Sequence, residues 1–450
     1  MLEAPVEHVE PARERAFRPV QYLGSKIRLL DAIRSSMDAV DPNRGSMLDV
    51  FSGSGVVAAH LAREREVTAI DVQEYARVLA SALLAPAGLT ARQTEQLLER
   101  MRSLRGSLAP ALDPVVRAED AAFASLQAGD PEPLCRIVEH GSLAAHALGE
   151  GPANGHLADA LAATESLLQP IATPLTLTAY YGGVYFGYRQ ALTLDCLLAV
   201  VRDLTARERD TGLAAILGVA SDCVSSVGSH FAQPIRPRDK DGRPKLRALA
   251  NLVRRRNRDV IETFVARLRE YAALPGAAGR ARAVRDDYRS YLASHHGRIG
   301  AVYADPPYTR DHYSRFYHVL ETIAQGDVPE LSTVNVAGGT SLSRGLYRRQ
   351  RHQSPFCIRS EAPGAFRSLF EAVRELECPL VLSYSPYTNG TAARPRPRLL
   401  TIEEIVDLAC AEFGSVRVET PARISHSKFN ALHLNGEAEP VAELFVICSP

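Results

Sequence analysis

The sequence lacks the long apolar runs of a membrane protein. No segment of its 450 residues approaches the roughly 18 consecutive apolar residues that a membrane span requires. The first residues, MLEAPVEHVEPARERAF, are charged and contain no apolar signal-peptide core. We therefore expect a cytoplasmic protein with no membrane partner, in which residues 1–15 form a loose leader.

Cysteine pairs are also missing. The seven cysteines are scattered along the chain and no C-x-x-C pair occurs, which argues against a zinc knuckle and against a disulfide framework. We expect reduced thiols that act as small core residues, and no metal site.

The chain has no excess of either charge, since 52 Lys and Arg balance 52 Asp and Glu. Any affinity for a polyanion must therefore come from local basic patches. Residues 231–258 carry ten Lys or Arg against two Asp, and residues 341–359 carry five Arg and no acid. The proline and glycine content of both stretches predicts loops rather than helix interiors.

Short apolar runs near both ends of the chain predict an α/β sheet covered on both faces. SMLDVF begins at Ser46 and VTAID ends at Asp71, with a glycine turn and a helical segment between them. Four later runs cover 299–304, 379–384, 416–419 and 442–447, and helical patterns lie at about 311–325, 362–377 and 401–412. The region 91–279 reads as mostly helical and contains no convincing series of strands, so we interpret it as an insertion between two parts of the sheet domain, 16–90 and 280–450.

The turn LDVFSGSG (48–55) has the pattern of a nucleotide-binding loop. Gly53 and Gly55 allow a sharp turn and a close approach to a ligand, and Asp71 at the end of the next strand could accept hydrogen bonds from both ribose hydroxyls. Gly53-x-Gly55-x-x-Ala58 fits a nicotinamide dinucleotide about as well, and a tight turn without a ligand is a further reading.

Asp305-Pro306-Pro307-Tyr308 follows the predicted strand IGAVYA and is the most specific motif. Two prolines remove two backbone donors, so the Asp305 carboxylate and the Pro306 carbonyl become two acceptors on a rigid turn. That pair suits the two N–H groups of an exocyclic base amine, and the Tyr308 ring could stack on the base. A Pro-Pro turn with a core tyrosine is the purely structural alternative.

Together with Gly24 and Lys26 of QYLGSK (21–26), these motifs resemble the Dam-like, alpha-class adenine-specific N6 DNA methyltransferases. That family shows, in order, G-x-K, F-x-G-x-G, an acidic residue on the second strand, a target-recognition insertion and D-P-P-Y. The resemblance covers about half of the chain. It implies a Rossmann-like class I methyltransferase sheet with a largely helical inserted target-recognition domain, and S-adenosylmethionine (AdoMet) as the methyl donor.

The resemblance also implies roles for individual residues. Asp305, Pro306, Pro307 and Tyr308 would form the catalytic motif, with Lys26 near the AdoMet carboxylate, Asp71 at the ribose, Asp287 at the adenine and Tyr288 packed beside it. The cofactor-binding set is completed by Tyr22, Gly24, Asp49, Phe51, Ser52, Gly53, Ser54, Gly55 and Val72. Segments 382–387 and 426–430 correspond to the family's base-pocket strand and late hairpin.

The expected substrate is an adenine flipped out of double-stranded DNA. The predicted DNA-binding residues are basic and come from the two basic stretches: Arg236, Arg238, Lys245, Arg254, Arg255, Arg256, Arg258, Arg348 and Arg349. A cognate restriction endonuclease or a defence-system partner is compatible with such an enzyme.

Several other functions stay open at this point. The same amine chemistry would serve an RNA adenine or the N4 amine of cytosine, although cytosine enzymes usually carry Ser in place of Asp305. A nicotinamide-dependent oxidoreductase would explain the glycine loop but not D-P-P-Y. A non-catalytic DNA-binding subunit would bind nucleic acid without methyl transfer.

Overall fold

The structure is a computed structural model that describes residues 17–168, 174–310, 312–336, 339–385, 389–391, 394–396, 399–421 and 443–450. The leader 1–15 and the segment 426–430 lie outside the described residues, as do residues 386 and 387 of the segment 382–387.

The described strands form one seven-stranded sheet and two short hairpins. The strands are β1 (Met47–Asp49), β2 (Val67–Asp71), β3 (Ala281–Arg285), β4 (Ala301–Ala304), β5 (Thr333–Val336), β6 (Gly339–Leu342), β7 (Leu380–Tyr384), β8 (Asn389–Thr391), β9 (Arg394–Arg396), β10 (Ser415–Glu419) and β11 (Leu444–Ser449). The sheet order is β10-β11-β7-β4-β1-β2-β3, and β11 is the only strand of this sheet that runs in the opposite direction to the other six. The predicted α/β class with a mostly parallel sheet is confirmed.

Helices cover both faces of the sheet and fill the region between β2 and β3. They are α1 (Leu30–Val40), α2 (Val56–Leu61), α3 (Glu74–Leu84), α4 (Ala91–Gln127), α5 (Glu132–His140), α6 (Leu143–Ala147), α7 (His156–Thr164), α8 (Tyr188–Val201), α9 (Ala206–Cys223), α10 (Leu246–Arg256), α11 (Val260–Ala272), α12 (Tyr288–Ser294), α13 (Tyr313–Phe316), α14 (His318–Gln325), α15 (Ala362–Arg374) and α16 (Ile402–Cys410). Short 3-10 turns lie at Glu165–Leu168, Val227–Ser229 and Pro355–Cys357, and a π-helical turn lies at Leu177–Tyr181.

The alternation of side chains along the central strands divides the core into two hydrophobic clusters. In β4, Ala301 and Tyr303 face one cluster, whereas Val302 and Ala304 face the other. The first cluster is continuous from the sheet through α3 into the helices between β2 and β3, and the second is built mainly from α12, α15 and α16. The helical region is therefore packed against one face of the sheet.

Two sequence expectations on secondary structure are corrected. The basic stretch 231–258 is not all loop, because α10 occupies Leu246–Arg256 and buries Leu249, Leu252 and Arg256 along one side. The helix expected at 311–325 is broken at Tyr317 into α13 and α14. Among the described residues, no helix is both long and apolar enough to cross a membrane. Six of the seven cysteines are buried, in agreement with their predicted role as core residues.

Candidate active site

Three neighbouring parallel strands end at one edge of the sheet and bring the predicted motifs together. The strand β1 pairs with β2 on one side and β4 on the other, so Asp49, Asp71 and Asp305 follow or end adjacent strands. In open parallel sheets, ligands bind in the crevice outside the carboxyl ends of the strands. A cavity of about 220 Å³ lies there.

Most of the predicted site residues line this cavity. Those on it are Tyr22, Gly24, Lys26, Asp49, Phe51, Ser52, Gly53, Ser54, Asp71, Val72, Asp287, Tyr288, Asp305 and Pro307. Gly55, Pro306 and Tyr308 are not lining residues but are adjacent in the sequence to residues that are. The glycine loop and D-P-P-Y, which are 250 residues apart in the chain, thus share one crevice (305 − 55 = 250).

The two loop glycines are required for different reasons. Gly53 has a φ of 49°, and a Cβ built there would lie 2.6 Å from the hydroxyl of Tyr22. Gly55 has a φ of 76°, and a Cβ there would lie 2.6 Å from the Cα of Ala80 in α3. The first glycine therefore keeps the loop close to Tyr22, and the second lets α2 pack on α3.

The carboxylate of Asp71 is held by the backbone. Its Oδ2 accepts from the N–H of Gly53 at 2.9 Å, and its Oδ1 accepts from the N–H of Gln73 at 2.9 Å. Burial raises the pKa of Asp71 to about 6, although these hydrogen bonds oppose the shift. Asp71 is thereby fixed in orientation at the edge of the cavity.

Asp49 is a buried acid at the end of β1. Burial raises its pKa to about 8, and the nearby charges of Asp305 and Asp71 add to the increase, against the backbone N–H groups of Phe51 and Ala58. Near neutral pH the cavity floor therefore carries a carboxyl group that is largely protonated.

Lys26 lies between two carboxylates. Its Nζ is 2.9 Å from Oδ2 of Asp305 and 3.3 Å from Oε1 of Glu443, and Lys26 and Glu443 are both buried. Burial alone would lower the pKa of Lys26, but the two carboxylates raise it well above its usual value. The ammonium group is therefore paired with Asp305 and also lines the cavity; its expected place near the AdoMet carboxylate stays a prediction.

Asp305 is partly exposed to the cavity, with 21% of its side chain accessible. Burial raises the pKa of Asp305 to about 6, Lys26 opposes the increase and Glu443 adds to it. The group is thus a carboxylate at neutral pH and titrates just below it.

Glu443 is a site residue that the sequence motifs do not reveal. It precedes β11, and its Oε1 accepts hydrogen bonds from Ser383 at 2.8 Å and from Tyr308 at 3.3 Å. Glu443 thus links D-P-P-Y to β7 and to Lys26. The only local signal is an isolated acid directly before an apolar strand.

Aromatic side chains form the walls of the cavity. Phe51 contacts Tyr288 and Phe356, with ring centroids 5.1 and 5.4 Å apart. The ring of Tyr22 stacks on the ring of Tyr317, with centroids 4.9 Å apart, and this contact holds the segment 21–26 in place. Phe356 was missed because it lies in the second basic stretch, far from any motif.

Two tyrosines, Tyr313 of α13 and Tyr317 between α13 and α14, hydrogen-bond to the G-x-K segment. The hydroxyl of Tyr317 accepts from the N–H of Leu23 at 2.6 Å, and the hydroxyl of Tyr313 donates to the carbonyl of Leu23 at 3.2 Å. Phe316, Tyr317 and Leu320 are buried, whereas Tyr313 also lines the cavity.

The predicted DNA-binding residues divide into two groups. Arg236, Lys245, Arg254 and Arg258 are exposed, and Arg255 is half-buried; Arg349 is exposed but pairs with Glu330 at 3.1 Å. The other three are buried or half-buried and are held by the protein's own acids. Arg256 is buried against Glu119 at 2.6 Å, Arg238 pairs with Glu132 and Glu139, and Arg348 pairs with Asp327 at 2.6 Å.

Comparison with known proteins relates part of the chain to one family. Residues 22–110 match the model of the D12 class N6 adenine-specific DNA methyltransferase family. The predicted resemblance to adenine-specific N6 DNA methyltransferases is thereby confirmed for the part of the chain that holds the G-x-K segment, the glycine loop and Asp71.

A particular relative agrees with this class. The chain is 33% identical over 147 residues to modification methylase LlaI of Lactococcus lactis subsp. lactis, an alignment that covers 32% of this chain. The aligned part spans about a fifth of that relative's length, 20%. No solved structure gives a significant match.

Proposed function

We propose that this protein is a site-specific adenine-N6 DNA methyltransferase that transfers a methyl group from AdoMet to a flipped-out adenine in duplex DNA. The observation that carries the proposal is the shared crevice: Asp305 and Pro307 of D-P-P-Y line the same cavity as the glycine loop. A carboxylate acceptor from this motif and a nucleotide-type loop in one cavity are what transfer to a base amine requires.

The cavity lining fits AdoMet by its chemistry. Asp71, oriented by two backbone N–H groups, would bind the ribose hydroxyls, and Asp287 and Tyr288 would bind and pack the adenine. The mostly protonated Asp49 adds no full negative charge to the cavity lining. AdoMet, when bound, supplies a sulfonium-activated methyl group with a good leaving group.

Asp305 and the Pro306 carbonyl would activate the target amine. By accepting a hydrogen bond from each amine N–H they favour a pyramidal nitrogen whose lone pair is free for in-line attack on the methyl carbon. The methylated nitrogen would then pass one proton to the Asp305 carboxylate, and no covalent enzyme intermediate is needed. Tyr308 would stack on the flipped base, a contact worth about 1–3 kcal/mol.

We further propose that Lys26 and Glu443 are positioning residues for this step. Lys26 holds one oxygen of Asp305, and Glu443 holds both Lys26 and the hydroxyl of Tyr308. The G-x-K segment, D-P-P-Y and the residue before β11 thereby fix the Asp305 carboxylate and the Tyr308 ring relative to each other.

The proposed domain division follows from these roles. Residues 16–90 and 280–450 would form a Rossmann-like class I methyltransferase domain in the cytoplasm, and the helices of 91–279 a target-recognition domain. We include in this proposal a cognate restriction endonuclease or a defence-system protein as a partner of the enzyme.

A methyl-transfer assay tests the function. The protein is incubated with AdoMet carrying a tritiated methyl group and with unmethylated genomic DNA, and the labelled base is identified after hydrolysis. We expect N6-methyladenine; label confined to cytosine or to RNA would replace the proposal with one of those substrates.

Asp305→Ala tests the residue that carries the mechanism. We expect transfer to fall by at least about 100-fold, because the amine loses its charged acceptor, while AdoMet binding measured by calorimetry persists. Asp407→Ala, at an exposed position of α16, is a matched control for the loss of an aspartate. Turnover retained by Asp305→Ala would contradict the assigned role.

A further inference from the structure

A second concave surface lies in the helical region. It is a groove of about 770 Å³, bordered by α10 and by the segment between α9 and α10. We call it the basic pocket, because five cationic side chains line it and no acid does so among the described residues: Arg236, Lys245, Arg254, Arg255 and Arg258.

The five cations are not used in ion pairs within the described part of the chain. Arg254 donates to the side chain of Asn251, and Arg255 donates to the carbonyl of Val224 at 2.7 Å and to the hydroxyl of Ser229 at 3.0 Å. Their neighbour Arg256 shows the contrast, because it turns inward to Glu119 and anchors the same helix. Thus α10 is fixed by one arginine and presents others to the groove.

The unpaired cations repel one another. Burial lowers the pKa of Arg255, and the adjacent charge of Arg258 lowers it further. On the other side, burial and the charge of Arg236 lower the pKa of Arg344, which donates to the carbonyl of Ile235 at 2.9 Å. Binding of an anion to such a surface is favourable, because charge-assisted hydrogen bonds to the anion replace the repulsion between like charges.

The basic pocket is connected directly to the candidate active site. The segment after Val227 contributes Gln233, Ile235 and Arg236 to the groove. In the same segment, the N–H of Phe231 donates to the carbonyl of Phe316 at 2.9 Å. Ser314, two residues before Phe316, lines the cavity that holds Asp305. One backbone hydrogen bond therefore links the segment that borders the groove to α13, whose residue Ser314 lines the cavity.

We propose that the basic pocket holds backbone phosphates of the DNA strand that flanks the target adenine. The inference deepens the proposed function and rests on it for the identity of the strand. An open groove suits a continuous backbone better than an isolated small anion. Phosphates held there would fix the strand while the base leaves the helix, since backbone contacts set register and base contacts set sequence.

The test is the salt dependence of DNA affinity in matched double variants. Arg254→Ala/Arg258→Ala removes two exposed cations from the groove, and Arg243→Ala/Arg247→Ala removes two exposed cations from the same stretch that do not line it. Binding of an unmethylated duplex is measured by fluorescence anisotropy across a range of salt concentrations, with duplex RNA as competitor and thermal unfolding as a check of folding.

For the groove variant we expect an affinity loss of roughly tenfold at low salt and a slope of log K against log salt reduced by about one to two, at about 0.9 per phosphate contact. The control variant should keep the wild-type slope. An unchanged slope in the groove variant, an equal loss in both variants, or stronger competition by RNA than by DNA would overturn the proposal.

The same proteins, assayed for methyl transfer, separate this inference from the proposed function. If the wild type methylates adenine while the groove variant keeps its slope, only the basic pocket is refuted. If the wild type transfers no methyl group while the slope still falls in the groove variant alone, the groove still binds DNA phosphates, but the methyltransferase proposal fails and with it the assignment of these phosphates to the strand beside a target adenine.

Discussion

At the scale of single residues, the site depends on one buried ammonium group. Lys26 has two carboxylate partners within 3.3 Å, and burial of such a charge without partners would cost several kcal/mol. Loss of one partner therefore affects the other two groups as well. Asp305 was predictable because D-P-P-Y is a contiguous motif, whereas Glu443 was not, because its role arises from contacts with residues 26 and 308 that only the fold creates.

Glu443→Gln tests the positioning role. We expect turnover to fall on the order of 10- to 100-fold, since a small displacement of reacting groups has effects of that size, with little change in AdoMet binding. Glu419→Gln, on the neighbouring strand β10, is the control. Wild-type turnover in Glu443→Gln would refute the role.

The pH profile gives a second readout of the same variant. The Asp305 pKa of about 6 predicts that kcat/KM rises with pH through about 6, because the carboxylate is a stronger acceptor for an amine N–H than the neutral acid is. Glu443 raises that pKa, so Glu443→Gln should move the rise to lower pH. A merely structural defect would lower the whole curve without moving its midpoint.

At the scale of elements, apolar strands were predictable and polar ones were not. The central strands β1, β2, β4 and β7 are nearly continuous apolar runs because both faces of the sheet are covered. The strand β3 was missed, since it is an edge strand whose sequence ARAVR carries two arginines and reads as a loop. The helix α10 was missed for a similar reason: prolines and glycines just before it obscured the spacing of Leu249, Leu252 and Arg256.

The junction of α2 with α3 yields a prediction about stability. In Gly55→Ala, the residue would keep a φ of 76°, which costs about 1–2 kcal/mol, and its Cβ would clash with the Cα of Ala80 at 2.6 Å. We expect a loss of at least about 2 kcal/mol in the free energy of unfolding, measured with urea. Gly106→Ala in α4 is the matched control, because a Cβ there meets nothing within 4 Å and alanine favours a helix by up to about 1 kcal/mol. Equal stability of the two variants would contradict the packing argument.

At the scale of the molecule, the helical region and the sheet share a hydrophobic cluster. This continuity could not be read from the sequence, because helix composition alone does not tell which face meets which sheet. It means that the basic pocket and the cavity belong to one packed body, so a ligand that binds the cavity stabilises the fold as a whole.

Thermal unfolding with candidate cofactors tests this linkage and the nicotinamide alternative together. AdoMet at 100 times its Kd should stabilise the native state by about 2.7 kcal/mol, which corresponds to a rise of several degrees in Tm, whereas NAD should leave Tm unchanged. A shift with NAD and none with AdoMet would favour the oxidoreductase.

The antiparallel strand β11 has a consequence for the order of assembly during folding. Its preceding residue, Glu443, joins a group otherwise formed by residues 26 and 305, so the acceptor that would activate adenine is fully supported only after β11 has joined the sheet beside β7. A chain in which the rest of the sheet has formed without β11 would therefore lack this support.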